Sequence, residues 1–185
     1  MAIVRTGNKS VLLVVDFQVD VVKDGWDTAR VGANIVRAVE RAREAGVPVV
    51  WVQHEHDEMA RGSAGWQYAA GLAPADGELR IYKKYNSAFD ETTLEAELAR
   101  QGVTRIVLAG AMTNFCVRSA AYAALERGYD LTLLKDAHTT SDIDLGDGTV
   151  LPGKGVVDDL NVTVKWLEYP GRTSSTATAA DVQFA

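Results

Sequence analysis

Runs of consecutive aliphatic residues recur along the chain, and several segments between them carry apolar residues at helical spacing. A continuous β-branched and aliphatic run is typical of a strand that is buried on both faces of a parallel sheet. The pattern therefore predicts a series of buried strands. They are residues 10–15, 48–52, 106–109 and 130–134, with a shorter candidate at residues 79–82.

Helices are predicted between these strands. Leu94 and Leu98 lie on one face of a segment that ends at Gly102, and Thr92 and Glu95 have the spacing of a capping box at its start. An earlier apolar stripe predicts a helix that completes a βαβ unit over residues 11–52. That stripe consists of Ala33, Ile35, Val36, Val39 and Ala42.

The remaining segments are predicted to be loops, apart from two near the carboxyl end of the chain. Glycine-rich composition indicates loops at residues 58–78 and 144–155. Residues 156–166 fit either an alternating strand or a helix face, and both alternatives stay open from the pattern alone. An edge strand is expected within residues 174–182. The chain contains no internal repeat, and we expect one domain over residues 1–185.

Composition narrows the classes of function. The 185 residues are 47% hydrophobic and 24% charged, which is ordinary for a globular protein. A net charge of −6 argues against nucleic acid or an anionic membrane as a partner. The first residues lack the long apolar core of a signal peptide, and a single cysteine forms no internal disulfide. A cytoplasmic location is therefore expected.

That single cysteine, Cys116, occupies a position suited to a nucleophile. A buried run ends at Gly110, and the turn that follows leads to Cys116 at the start of an alanine-rich segment predicted to be helical until Gly128. Free amides at a helix start favour the thiolate and can bind an oxyanion. The alternative is a buried cysteine with a packing role, which is the more common state of an isolated cysteine.

Two further polar residues follow predicted strands at their carboxyl ends, where open α/β sheets bind ligands. Asp16 follows the first strand, and Lys83 follows the strand candidate at residues 79–82. Asp16 could act as general base, and Lys83 could lower the pKa of the Cys116 thiol and orient the carboxylate. Amides of Met112 and Cys116 would form the oxyanion hole. Alternatively, Asp16 caps a turn, and Lys83 and Lys84 are solvated surface charges.

Neither a metal nor another cofactor is predicted. His54 and His56 form a His-x-His pair, but no third ligand of matching character stands nearby, and the only other histidine is His138. We expect His54 to be a neutral hydrogen-bonding group in the crevice. Candidate walls of a substrate pocket are the aromatic residues Phe17, Trp66, Tyr85 and Phe89.

Three motifs together resemble the isochorismatase-like cysteine hydrolase superfamily, which includes nicotinamidases, N-carbamoylsarcosine amidohydrolases, ureidoacrylate hydrolases and streptothricin hydrolases. The first is Leu-Leu-Val-Val-Asp16-Phe-Gln and the second is Lys83-Lys-Tyr-Asn-Ser-Ala-Phe89. The third is Leu-Ala-Gly-Ala-Met-Thr-Asn-Phe-Cys116-Val, followed by Gly128-Tyr-Asp and Lys135-Asp-Ala137. Their order and spacing over residues 10–140 are far more specific than any one motif.

The resemblance implies a catalytic triad of Asp16, Lys83 and Cys116, with Lys84 as the alternative lysine. It also implies a cis peptide bond at Ala111–Met112. For the fold, it implies a six-stranded parallel sheet in a three-layer α/β/α sandwich, a helix at residues 156–166, and homodimers or homotetramers. The chain departs from many relatives in lacking a histidine near Asp159, and it has no match to the Asp-x-His metal cluster of nicotinamidases.

The expected function is hydrolysis of a C–N bond in a small amide, lactam or carbamoyl compound through a thioester on Cys116. One alternative is isochorismatase-type vinyl-ether hydrolysis, which needs no thiol nucleophile. Another is a catalytically inactive binding or scaffold protein that keeps the fold. The sequence alone does not identify the substrate.

Overall fold

A computed structural model of the protein describes residues 2–184. Its centre is a six-stranded sheet in which every pair of neighbouring strands is parallel. The first five strands along the chain are β1 (Lys9–Val15), β2 (Val49–His54), β3 (Leu79–Lys83), β4 (Val103–Ala111) and β5 (Asp130–Thr139). A two-stranded hairpin follows, formed by β6 (Ile143–Asp144) and β7 (Val150–Leu151), and β8 (Ser174–Ala177) completes the large sheet. The strand order in that sheet is β3-β2-β1-β4-β5-β8.

Helices cover both faces of the sheet. They are α1 (Val19–Val22), α2 (Thr28–Glu44), α3 (Leu94–Arg100), α4 (Arg118–Glu126) and α5 (Gly153–Trp166). Alternate side chains of β1 show why two layers of helices are needed. Val11, Leu13 and Val15 lie in the core shared with α3, α4 and α5, while Leu12 and Val14 lie in the core shared with α2. This arrangement confirms the predicted three-layer α/β/α sandwich.

The open question at residues 156–166 is settled in favour of a helix. Val156, Val157, Leu160 and Val164 are buried on one face of α5, as the 3.6-residue period requires. The alternation that indicated a strand came from Val162 and Trp166, which are exposed on the opposite face.

The edge strand expected within residues 174–182 is confirmed as β8, which ends at Ala177. Two other details differ from the sequence predictions. The predicted loop at residues 144–155 contains the second strand of the β6–β7 hairpin and the first turn of α5. No capping box forms, because the Glu95 carboxylate accepts a hydrogen bond from Arg5 at 2.7 Å, while the Thr92 hydroxyl accepts one from the Leu94 amide at 3.3 Å.

The pairing of β4 with β5 is irregular at the end of the sheet where the two strands stop. Leu108 pairs with Leu133 and Gly110 pairs with His138, so β5 carries three more residues than β4 over this stretch. Such a bulge bends a strand and changes the direction of its side chains. Gly110 has a φ of 131°, and a Cβ at this position would lie 1.9 Å from the Val15 carbonyl oxygen. Only glycine therefore fits where β4 passes β1.

No helix within residues 2–184 is both long enough and apolar enough to cross a membrane.

Candidate active site

The ends of β1, β3 and β4 bring three polar side chains into contact. Lys83 Nζ lies 2.6 Å from Asp16 Oδ2 and 3.2 Å from Cys116 Sγ. All three side chains are buried, and Cys116 retains 9% of its surface exposed. The structure thus brings together the three residues that the sequence indicated and distinguishes between the two lysines, because Lys84 is exposed and forms no part of this cluster.

Further contacts hold the Lys83 ammonium in place. It donates to the Tyr85 carbonyl oxygen at 3.0 Å, and His54 Nδ1 lies 3.2 Å away. Asp16 follows β1 with a φ of 47°, in the left-handed region that aspartate tolerates better than most residues. A constrained backbone of this kind is found most often at functional sites.

Cys116 lies in a turn that differs from a simple helix start. The peptide bond between Ala111 and Met112 is cis, and residues Thr113–Val117 form one turn of π-helix before α4. The Met112 carbonyl accepts hydrogen bonds from the amides of Phe115 and Val117, but not from the intervening amide of Cys116. We call residues Met112–Val117 the nucleophile turn.

The electrostatics of the cluster contradict one expectation. Burial and the neighbouring Asp16 carboxylate raise the pKa of the Cys116 thiol to about 12, and Lys83 offsets only part of this effect. The expected lowering of the pKa by Lys83 is present, but burial and Asp16 outweigh it, so the net shift of the thiol pKa is upward, against the expectation. Burial also raises the pKa of Asp16 above its ordinary value, although Lys83 acts in the opposite direction. The arrangement places a protonated thiol beside a carboxyl group that can accept its proton.

Lys83 remains positively charged. Burial lowers its pKa, but the adjacent Asp16 and Cys116 outweigh this effect, so the pKa lies above its ordinary value. A permanent ammonium group between the thiol and the carboxylate can stabilise negative charge on either one.

A cavity of about 490 Å³ opens onto Cys116. Its lining combines apolar side chains with charges of both signs. Besides Asp16 and Cys116 it is lined by Asp20, Val21, Lys23, His54, His56, Glu58, Met59, Asn86, Met112 and Phe115. This size is sufficient for a small organic substrate.

Of the five predicted substrate-binding residues, only His54 lines this cavity. Phe17 is fully buried in the core beneath α2, and Phe89 packs against Tyr129 with ring centroids 6.2 Å apart. Trp66 packs against Tyr82, with the centroids of the two rings 5.8 Å apart. Tyr85 has a half-exposed side chain and contributes its carbonyl to Lys83. None of the four aromatic side chains predicted from composition lines the cavity, whose walls include Phe115, Met59 and Met112 instead.

His54 is a neutral group, as expected. Burial and the nearby Lys83 ammonium lower its pKa to about 4. The imidazole can therefore accept a hydrogen bond from Lys83 near neutral pH. Across residues 2–184, no three histidine, cysteine, aspartate or glutamate side chains are grouped so as to hold a metal ion.

His138 also contacts the nucleophile turn, although the sequence predicted no role for this third histidine. Its ring is completely buried at the end of β5, and its Nδ1 lies 2.9 Å from the Thr113 hydroxyl of the nucleophile turn. Its place shortly after the predicted strand at residues 130–134 was the available signal. The bulge that brings it to Thr113 leaves no recognisable pattern in the sequence.

Comparison with known proteins gives consistent results. A sequence model of the isochorismatase domain matches residues 10–148. A Streptomyces noursei streptothricin hydrolase is 33% identical over 74% of this chain and 57% of its own length. An Arabidopsis thaliana protein named as a probable inactive nicotinamidase is 29% identical over 85% of this chain and 94% of its own length. The structure of a cysteine hydrolase from Pseudomonas syringae superposes with a TM-score of 0.84 at 22% identity, covering 94% of this chain and 90% of that one.

Proposed function

The chain belongs to the isochorismatase family of hydrolases, and from this premise we propose that it is a cysteine-dependent amidohydrolase acting on a small amide, lactam or carbamoyl compound. The observation that carries the proposal is the contact of Lys83 Nζ with both the Asp16 carboxylate and Cys116 Sγ. A thiol, a base and a cation in one buried cluster are the groups that nucleophilic acyl transfer requires.

In the first half-reaction, Cys116 Sγ forms a bond to the substrate carbonyl carbon and its proton passes to Asp16. The resulting oxyanion accepts hydrogen bonds from the amides of Met112 and Cys116. Collapse of the tetrahedral intermediate breaks the C–N bond, and Asp16 returns the proton to the departing ammonia or amine. The product of this step is a thioester on Cys116.

In the second half-reaction, water attacks the thioester carbon while Asp16 accepts one of its protons. The C–S bond breaks, the carboxylic acid leaves, and the proton on Asp16 returns to the Cys116 sulfur. Lys83 stays protonated throughout and stabilises whichever partner carries the negative charge. The raised pKa of the thiol makes Asp16 essential, because little thiolate exists before the substrate binds.

The proposal is tested by hydrolysis of a panel of small amides, followed by mass spectrometry of substrates, products and protein. The panel contains nicotinamide, pyrazinamide, N-carbamoyl compounds, ureidoacrylate and a streptolidine-type lactam. Turnover should disappear in Cys116→Ala, and wild-type protein quenched during turnover should carry the acyl group on Cys116. Turnover retained in Cys116→Ala would contradict the mechanism.

The same experiment with isochorismate added to the panel separates the alternative reactions. Vinyl-ether hydrolysis of isochorismate would proceed without an adduct on Cys116. A protein that has kept the fold without the activity would form no acyl adduct with any of these compounds, even at high concentration.

A further inference from the structure

His138 is a buried titratable group for which the proposed reaction has no direct use. It does not line the cavity beside Cys116, and its side chain is completely inaccessible to solvent. Both ring nitrogens nevertheless have partners. Nδ1 lies 2.9 Å from the Thr113 hydroxyl and Nε2 lies 3.0 Å from Asn161 Oδ1. A fully satisfied buried network of this kind constrains the elements that it connects.

The neighbouring contacts determine which nitrogen carries the proton. The Asn161 side-chain amide donates through Nδ2 to the Lys135 carbonyl at 2.9 Å, so its Oδ1 faces His138 as an acceptor. His138 Nε2 must therefore be the protonated nitrogen that donates to Oδ1. In the neutral ring Nδ1 is then an acceptor, and the Thr113 hydroxyl donates to it.

This network acts on the turn that contains the proposed nucleophile. Thr113 directly follows Met112, whose amide is assigned to the oxyanion, and the same turn contains Cys116 three residues later. The bulge in β5 places His138 beside Gly110, so the ring lies next to the end of β4 from which the turn begins. A second contact comes from the residues after β5, since the Thr140 hydroxyl donates to Asn114 Oδ1 at 2.6 Å.

We propose that His138 is a positioning residue for the nucleophile. As a neutral imidazole protonated on Nε2, it accepts a hydrogen bond from the Thr113 hydroxyl. This bond fixes the turn that presents the Met112 amide and the Cys116 thiol to the substrate. This inference rests on the proposed function. It extends that function by giving the nucleophile turn a specific support outside the cavity.

Two pairs of variants test the link between His138 and Thr113. His138→Gln retains a donor near the position of Nε2 but removes the acceptor for Thr113, whereas His138→Asn retains an acceptor near the position of Nδ1. Thr113→Val removes the donor without changing the shape, and Thr113→Ser retains it. We expect His138→Gln and Thr113→Val to lower kcat by about 10²-fold with little change in KM, as misplacement of reacting groups does. His138→Asn and Thr113→Ser should retain most of the activity.

A second readout does not depend on turnover. Cys116 is the only cysteine, so its alkylation by iodoacetamide at a fixed alkaline pH can be followed by intact mass. Both disruptive variants should change the alkylation rate in the same direction, and the double variant should add little to either single one. The alkylation rates decide the role of His138 whether or not the wild-type protein hydrolyses a compound in the panel, so failure of the proposed function and failure of this inference are distinguishable.

Thr104→Val provides the matched control. Thr104 is likewise a buried threonine, but it lies on β4, at the end of that strand remote from the site. Its substitution should leave kcat and alkylation unchanged. Far-ultraviolet circular dichroism and thermal unfolding show whether each variant folds. If His138→Gln does not fold, Thr113→Val still tests the contact. Unchanged kcat and alkylation in folded Thr113→Val would overturn the proposal.

Discussion

Lys83 Nζ lies 2.6 Å from Asp16 Oδ2, and both side chains are removed from solvent at the carboxyl end of the sheet. An ion pair in this environment is costly to desolvate, so it does not contribute stability in proportion to its short distance. Removing one partner is a different matter, because the other charge is then left buried and uncompensated.

Replacing Lys83 with methionine should therefore destabilise the protein by about 3–5 kcal/mol and abolish hydrolysis. The reason is that Asp16 loses its only ammonium partner in the cluster. Urea denaturation and the amide panel measure the two effects. Lys84→Met is the matched control, since Lys84 is the next residue and is exposed, and it should change neither quantity. A larger effect from Lys84→Met would contradict the assignment of Lys83.

The pH dependence of kcat/KM should report the state of Asp16. Burial raises the pKa of Asp16 above 3.8, and the base must be ionised to accept the thiol proton. Activity should therefore fall as the pH drops through this raised pKa, with an acid limb that lies above pH 3.8. Reversibility on return to neutral pH separates this limb from unfolding. Full activity at pH 3.8 would show that an ionised Asp16 is not required.

Stability should decrease on mild acidification because of the buried imidazoles. Burial lowers the pKa of His138 from 6.5 to about 4. The folded state thus favours the neutral ring. The contribution of the neutral ring to the free energy of unfolding is fully present above pH 6.5 and is lost as the pH falls toward 4. Urea midpoints measured across this range should decline, and His138→Asn should show a smaller decline than wild type. An equal decline in both proteins would mean that His138 does not titrate in this way.

Gly110→Ala should prevent correct folding or destabilise the protein severely. The new Cβ would require a φ of 131° and would lie 1.9 Å from the Val15 carbonyl oxygen, between two central strands. Gly155→Ala in α5 is the comparison, because no atom outside the adjoining helix backbone lies within 4 Å of that Cβ. This second change should stabilise the protein by roughly 0.5–1 kcal/mol. Thermal unfolding measures both, and a well-folded Gly110→Ala would contradict the close approach of β1 and β4.

The sequence predicted the four inner strands well, because β1, β2, β4 and β5 are largely buried and appear as aliphatic runs. The run ending at Val15 and the run ending at Ala109 both lie in central strands of the sheet. The three polar residues at the strand ends were found by the same logic. The carboxyl ends of neighbouring parallel strands lie at one edge of the sheet.

Other features depend on long-range geometry that a local pattern does not encode. Aromatic side chains serve equally in cores and in cavities, so composition placed Phe17 and Phe89 in the wrong environment. The pKa of Cys116 was misjudged because its depth of burial is set by the whole fold. The contact between His138 and Thr113 depends on a bulge that changes the register of two strands.

The high pKa of Cys116 has a consequence for the durability of the protein. Peroxide and molecular oxygen damage cysteine mainly through its thiolate, which is scarce here near neutral pH. The chain also has no second cysteine with which an oxidised sulfur could form an internal disulfide. The sulfur should therefore remain reduced during storage in air without added reductant, and in the proposed mechanism its reactivity is released only when a bound substrate is present and the proton passes to Asp16.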